Sequence, residues 1–353
     1  MQITRADVTP VELKLKHPVR MAKIPEINSI VAIFVRLETQ KGRNAWGCGV
    51  AHPHLTGHDP EDILNACQEA AVMVPDLHPI DIEYSLSHLM PILSGLPPAL
   101  CAFDLAFHDL LGLAAGMPLY RLLGGYRTKI QTSATIPICS IKESVDIARM
   151  RASDGFRLLK IKGGLDPSLD IERVRVIHRA LPELMLRLDA DGAYSIEDAL
   201  HVARNLGDRL QMLEQPTSPE DLDGLFQVTR HSPVPVLADQ SISGPRDALE
   251  LAIGHYADGF SIKIGLCGGF TNARQMDGVA RAVGLEMMVS CLIEPALLTA
   301  AGLSMALSSP GVGYADLDGY IDLNNDPTLP GFRLEEGWLV ATDVPGLGCT
   351  VAI

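Results

Sequence analysis

Three acids and two lysines, each closing a short apolar run, recur at nearly even intervals through the middle of the chain. Lys162 closes Leu158-Leu159-Lys160-Ile161, Asp189 closes Met185 to Leu188, Glu214 closes Gln211-Met212-Leu213, Asp239 closes Pro235 to Ala238 and Lys263 closes Phe260-Ser261-Ile262, spaced 24 to 27 residues apart. A buried parallel strand that ends at an active-site face reads this way, and about 30 residues per unit is the period of a (β/α) barrel. Brought to one end of such a barrel, Asp189, Glu214 and Asp239 offer only oxygen. That donor set suits a hard divalent cation, Mg²⁺ first and Mn²⁺ as the alternative. The competing reading makes each acid an unrelated helix N-cap, and the shared register with the lysines weighs against it.

Lys160 and Lys162 lie two apart on one strand, so both project to the same side, the barrel interior. Burying two ammonium groups is costly unless an anion lies opposite, and a carboxylate substrate on the metal supplies one. Lys263 sits four strands further round, which gives such a substrate an amine on each face. Desolvation and neighbouring positive charge are expected to lower the lysine pKa values towards those of a working base. The arrangement fits proton removal beside a carboxylate; lysines snorkelling at barrel ends are the alternative.

The elements that must hold these groups follow from the hydrophobic pattern. Residues 2–9, 28–39 and 43–50 are rich in Val, Ile and Thr, with a hairpin signal at Gln40-Lys41-Gly42, and predict a small antiparallel sheet. Helical spacing follows from Asp59 to about Val74 and from Pro98 to Gly116, so residues 1–125 read as an α+β domain. From Ile130 the pattern alternates strand and helix, with strands predicted at 130–136, 157–162, 185–190, 211–214, 235–239, 258–263, 286–291 and 312–316. Eight strands and no Gly-x-Gly-x-x-Gly after the first favour a closed barrel over a Rossmann sheet. Gly163-Gly164 and Gly268-Gly269 admit either a phosphate loop or a tight βα turn. His52-Pro53-His54-Leu55-Thr56-Gly57-His58 reads as a loop rather than a histidine metal cluster. The last ~35 residues lack a helix of barrel length and are expected to return to the first domain.

At 353 residues and 47% hydrophobic content the chain has room for a barrel with an added layer. The 43 acids against 29 Lys and Arg give a net charge of −14, which disfavours nucleic acid and anionic membrane surfaces. Seven scattered cysteines suggest reduced thiols and a cytoplasmic setting. No signal peptide or membrane span is expected, since the longest apolar segment, Pro97 to Leu119, carries Asp104, His108 and Asp109.

The combination of Lys160-x-Lys162, Asp189, Glu214-Gln215-Pro216, Asp239-Gln240-Ser241 and Lys263 resembles the enolase superfamily, in its muconate lactonizing subgroup. Ala45-Trp46-Gly47, Gly116-Met117-Pro118-Leu119-Tyr120, Leu122-Leu123-Gly124-Gly125 and Pro345-Gly346-Leu347-Gly348 extend the resemblance along the chain. It implies an α+β capping domain (1–125) over a modified (β/α)7β TIM-type barrel (126–320), with a C-terminal segment (321–353) completing the cap. It further implies Mg²⁺ on Asp189, Glu214 and Asp239, Lys162 and Lys263 as the acid/base pair, and Lys160 assisting.

Ala315-Asp316-Leu317-Asp318-Gly319 is similar to the Asp-x-Asp signature of the dipeptide epimerases, where paired carboxylates hold a dipeptide's ammonium; an acidic surface turn is the alternative. The resemblance adds Thr135, Asp191, Cys291 and Glu294 as substrate-side positions. The expected activity is epimerisation of a dipeptide's C-terminal residue through an enediolate intermediate. The alternatives are o-succinylbenzoate synthase, N-acylamino acid racemase or a muconate-type cycloisomerase, and a catalytically dead barrel serving as a scaffold. The expected partner is a small-molecule carboxylate, and the expected assembly a homo-oligomer. Gln240, where Glu is usual, and Asp191, where Asn is usual, depart from the pattern, as does Cys48-Gly49 after the tryptophan motif. Arg20 and Lys23 near the start either meet an acidic side chain or face water.

Overall fold

The computed structural model describes residues 2–353. The chain opens with three antiparallel strands, β1 (Ile3–Val19), β2 (Ile27–Thr39) and β3 (Asn44–Ala51), with the β2–β3 turn closed by Gly42 N donating to the Thr39 carbonyl. Alternation splits β2 between two cores. Ile33, Val35 and Leu37 pack on the cap helices, whereas Ile30, Ala32 and Phe34 face the barrel core.

Helices α1 (Pro60–Met73), α2 (Ile82–Leu93), α3 (Pro97–Ala115) and α4 (Leu119–Leu123) complete this layer. By length and composition α3 could cross a membrane, yet most of it is buried here, between sheet and barrel. Its backbone meets β3 closely: a Cβ on Gly47 would lie 2.0 Å from the Ala102 carbonyl oxygen. The acids on α3 are tie points. Asp109 accepts from Trp46 N and Leu347 N, so the tryptophan motif and the C-terminal Pro-Gly-Leu-Gly meet at one carboxyl.

The strand predicted at 130–136 is in fact two. β4 (Lys129–Gln131) pairs with the C-terminal hairpin, and β5 (Ala134–Ile136) opens the barrel. Between them Thr132 Oγ1 accepts from Leu317 N and Ser133 Oγ donates to Asp316, which turns the chain from one sheet to the other. Seven strand–helix units follow, with α5 (Ile141–Ser153), β6 (Leu158–Lys162), α6 (Pro167–Ala180), β7 (Met185–Asp189), α7 (Ile196–Leu206), β8 (Leu210–Glu214) and α8 (Leu222–His231) forming the first half. The second half runs β9 (Val236–Ala238), α9 (Pro245–Gly254), β10 (Gly259–Lys263), the short α10 (Ile264–Cys267), α11 (Phe270–Val283), β11 (Glu286–Ser290), α12 (Ala296–Ser308) and β12 (Val312–Asp316).

All eight barrel strands are parallel and neighbours in sequence order, and a Thr132–Ala315 bridge joins the last edge to the first. This is the (β/α)7β barrel, with no barrel helix after β12. The remaining strands, β13 (Thr328–Leu329), β14 (Phe332–Glu335), β15 (Trp338–Ala341) and β16 (Thr350–Val351), serve both layers. The β14–β15 hairpin joins β4, while Leu323 bridges Leu15 and Gly346 bridges Pro118 of the cap.

Both Gly-Gly pairs are tight turns filled by the protein's own carboxylates. Asp104 of α3 accepts from Phe270 N and Thr271 N at the start of α11, and Asp170 accepts from Gly164 N. An anion at a helix N-terminus is thus present without any phosphate.

Candidate active site

Parallel pairing sets the chemistry in one layer. Lys162 is opposite Asp189 and Asp189 opposite Glu214 in the strand register, so three adjacent strands end level. Asp239 follows β9 directly, and its position is fixed by Gln215, whose Oε1 accepts from Asp239 N at 2.8 Å and Ser241 N at 3.2 Å. Gln215 itself has φ 32, a left-handed conformation held by these bonds. Sequence reasoning quoted the Glu-Gln-Pro and Asp-Gln-Ser motifs but missed this positioning role.

Asp189, Glu214 and Asp239 are all buried and bring one oxygen each within 4.8 Å of the others. Lys160 Nζ lies 2.9 Å from Asp189, 3.0 Å from Glu214 and 2.7 Å from Asp316. Lys162 Nζ lies 2.8 Å from Asp189 and 2.7 Å from Asp191, and Lys263 pairs with Asp239. Lys162 and Lys263 end strands four apart in a ring of eight, so they face each other across the barrel mouth. Below the layer, Arg187 fills the interior, donating to the Ala315 carbonyl and to Gln211, and a plug of Met212, Leu237 and Met288 closes the floor.

The electrostatics correct one expectation. Desolvation pulls the Lys160 ammonium down, but Asp189, Asp316, Glu214 and Asp239 together hold it well above the ordinary lysine range. Lys162 is raised for the same reason, with Asp189 and Asp191 overcoming its burial. The predicted fall of these two lysines overlooked the density of carboxylates on neighbouring strands. Asp189 is lowered, its burial outweighed by Lys160 and Lys162. Glu214 goes the other way: burial, with Asp189, Asp239 and Asp316 adding to it, pushes its carboxyl up to about 8 against the pull of Lys160.

These facts bear on a metal. Neither Glu214 oxygen takes part in a hydrogen bond with any described residue, although both are buried. Carboxyls outnumber cations in the layer, and an all-oxygen donor set is what a hard divalent ion takes. The residues fit such an ion.

The remaining predicted positions divide. Asp318 faces the cavity, accepting from Thr135 N at 2.6 Å and contacting Cys291 Sγ at 3.8 Å; burial and then Asp316 push its carboxyl up to about 6. Asp316 also borders the cavity but is committed to Lys160 and Ser133, so the two acids are not an equivalent pair. Thr135 and Cys291 line the cavity as well. Glu294 does not line it: its carboxyl accepts from Leu292 N and Thr299 Oγ1 behind the wall, and burial pushes it up to about 8. Asp191 meets Gln240, whose amide donates to it at 3.2 Å, so the two departures from the pattern touch each other.

The cavity over this layer measures about 580 Å³ and is roofed by cap residues from two loops, 20–26 and 52–58. The first loop is docked at three points. Ile138 N donates to the Arg20 carbonyl, Ala22 is buried against Gly164, and Lys23, at φ 61, gives its ammonium to the Gly192 carbonyl. Arg20 is exposed and Lys23 lines the cavity. The histidine segment is the second loop, and among the described residues it forms no metal-binding group. Its His54, Leu55, Thr56 and His58 border the cavity, a role with no periodic signal in the sequence.

The family described as Enolase C-terminal domain-like matches residues 143–352. This chain belongs to the enolase superfamily, in its muconate lactonizing subgroup. Within the superfamily it is 32% identical to the L-Ala-D/L-Glu epimerase of Clostridium acetobutylicum, over 95% of this chain and 94% of that protein. It is 33% identical to the L-Lys-D/L-Arg epimerase of Desulforapulum autotrophicum over 99% of both. A crystal structure of a dipeptide epimerase from Enterococcus faecalis V583, complexed with Mg and L-Leu-L-Tyr, superposes with a TM-score of 0.95 at 31% identity, covering 99% of this chain and 100% of that one. These three are named for dipeptides that differ in their side chains.

Proposed function

We propose that this chain is a Mg²⁺-dependent epimerase that inverts the α-carbon of a dipeptide's C-terminal residue. The observation that carries the reading is Asp318, a carboxyl facing the cavity with backbone and thiol partners but no ion pair among the described residues, on the wall beside the Lys162–Lys263 pair. A dipeptide's free ammonium supplies that cation. Asp189, Glu214 and Asp239 would hold the metal, Mn²⁺ serving by the same donor logic. Bound there, it supplies positive charge that stabilises the negative charge growing on the substrate carboxylate.

The residues do the rest. One of Lys162 and Lys263 takes the α-proton from one face, Lys162 in the neutral form that a cation offsetting Asp189 would make accessible; the C–H electron pair passes into the carboxylate, giving an enediolate. The opposite lysine, charged, returns a proton to the other face, and the configuration inverts. Lys160, buried beneath, sets a fixed positive charge against the growing anion. The capping loops exclude water from the two amines.

One observation favours a second reading, N-acylamino acid racemisation. Asp316 is committed to Lys160, which leaves Asp318 to meet an ammonium without its neighbour. Incubation with Mg²⁺ in deuterated water separates the two: a dipeptide such as L-Ala-L-Leu should gain deuterium at its C-terminal α-carbon faster than N-acetyl-L-Leu. The opposite order would replace the first reading with the second.

A further inference from the structure

The proposed function leaves the side chain of the inverted residue open, and the cavity walls address it. We infer that this residue is apolar, aliphatic or aromatic, and carries no charge. The inference rests on reading the site as an α-proton exchanger acting on a carboxylate, and it is independent of what caps the substrate's nitrogen.

An α-carbon held in this site has four substituents. Its carboxylate belongs with Asp189, Glu214 and Asp239, its hydrogen lies on the line between Lys162 and Lys263, and its nitrogen leads towards Asp318. The side chain is left with the one wall not yet used, the roof. Val19, Met21, Ile24 and Leu55 from the cap meet Leu266 of α10 and Ile293 of the loop after β11 there, all half-buried and all bordering the cavity.

The charged groups of that roof are engaged or exposed, apart from His58, whose half-buried imidazole also borders the cavity. Lys23 gives its ammonium to the Gly192 carbonyl, Asp322 accepts from Arg151, and His54 is exposed. A carboxylate, ammonium or guanidinium driven against these walls would leave water for hydrocarbon with no partner, whereas a leucyl or phenyl group gains burial. The relatives' differing names do not decide the point, so the walls of this chain must.

The test runs two substrate series on the Mg²⁺-loaded full chain in deuterated water, L-Ala-L-X and N-acetyl-L-X, with X as Leu, Phe, Glu, Lys and Arg. Deuterium gained at the α-carbon of X is read as kcat/KM. Which series turns over decides the proposed function; the ranking of X within it decides this inference. Leu and Phe should exceed Glu, Lys and Arg by about tenfold or more. Equal or reversed rates for a charged X overturn the inference and leave the epimerase reading standing, and exchange in neither series overturns both. Leu55→Glu provides a second measurement: Leu and Phe should slow relative to Lys and Arg. An unchanged ranking in the folded variant overturns the placement of the side chain against the roof.

Discussion

The floor of the cavity is made of strand ends, and its roof hangs from two loops of the cap. Lys162, Asp189 and Glu214 sit level because hydrogen-bonded parallel strands fix their register, and each carboxylate or amine is buried with a partner of opposite charge. The roof residues Met21, Ile24 and Leu55 lie on chain without strand register, docked by a few backbone and side-chain contacts. On the proposed function the difference divides the tasks: rigid elements would carry the reaction and loops the choice of substrate.

If that division holds, damage to the floor should stop turnover whatever the substrate. Asp239→Asn keeps the shape and the bond geometry around Gln215 but removes a charge from the triad proposed to hold the metal and the charged partner of Lys263. Loss of such a preorganised electrostatic contact costs about 10²–10³ in kcat, and more where the metal itself is lost. Turnover should fall by at least that amount on every substrate, with circular dichroism unchanged. A variant that slows one substrate and spares another would break the division at its strongest point.

The two lysine walls offer a sharper cut. Lys263→Ala leaves Lys162 able to take a proton from one face only, so epimerisation should vanish in both directions. Deuterium exchange should persist from the one stereoisomer whose proton faces Lys162. Equal loss of exchange from both isomers, in a folded and metal-loaded variant, would merge the two amines into a single unit.

The same contrast governs what could be read before the fold was known. A charged residue closing an apolar run every 24 to 27 residues is a signal with a cause, since a strand must bury its body and can release polarity only at its end. Asp189, Glu214, Asp239 and the three lysines were legible for that reason. Gln215 was visible only as a motif, because its work is to bond the backbone of the next strand. Leu55 and His58 gave no signal for a place on the cavity, since the 52–58 loop that carries both has no period. The expected pKa directions of Lys160 and Lys162 failed because burial was counted and the neighbouring strands' carboxylates were not. Glu294 failed because one residue's rotation on a loop decides whether it faces the cavity or, as here, Leu292 N and Thr299.

Asp318 stands where floor meets roof, and its effect should be intermediate. A charge-assisted contact with an ammonium contributes roughly 1.5–3 kcal/mol, about ten- to more than hundredfold in specificity. Asp318→Asn should lower kcat/KM on the preferred dipeptide by that order and leave an N-acetyl analogue unchanged. The double change with Asp316 is less clean, because Asp316 also holds Lys160. A parallel loss on both substrate types would move Asp318 from substrate recognition into the floor.

The last effect is on stability alone and concerns a buried carboxyl outside the floor, and it asks whether the floor's charges survive because they are paired. Glu294 is 2% exposed, has hydrogen-bond donors but no ion pair among the described residues, and is pushed up to about 8, first by burial. Its unfolded value is near 4.3. Between those values the folded chain binds a proton that the unfolded chain has released, so stability falls as pH rises through that window and levels off above it. The slope for one proton is at most about 1.4 kcal/mol per pH unit. Glu294→Gln keeps an acceptor for Leu292 N and cannot ionise, so its stability relative to wild type should improve steadily from pH 5 to pH 8. Urea unfolding of both proteins at fixed Mg²⁺ across that range measures the difference, in which all other titrating groups cancel. Parallel profiles would mean that Glu294 is solvated or paired as well as the floor carboxylates, and burial without a partner would no longer distinguish it from them.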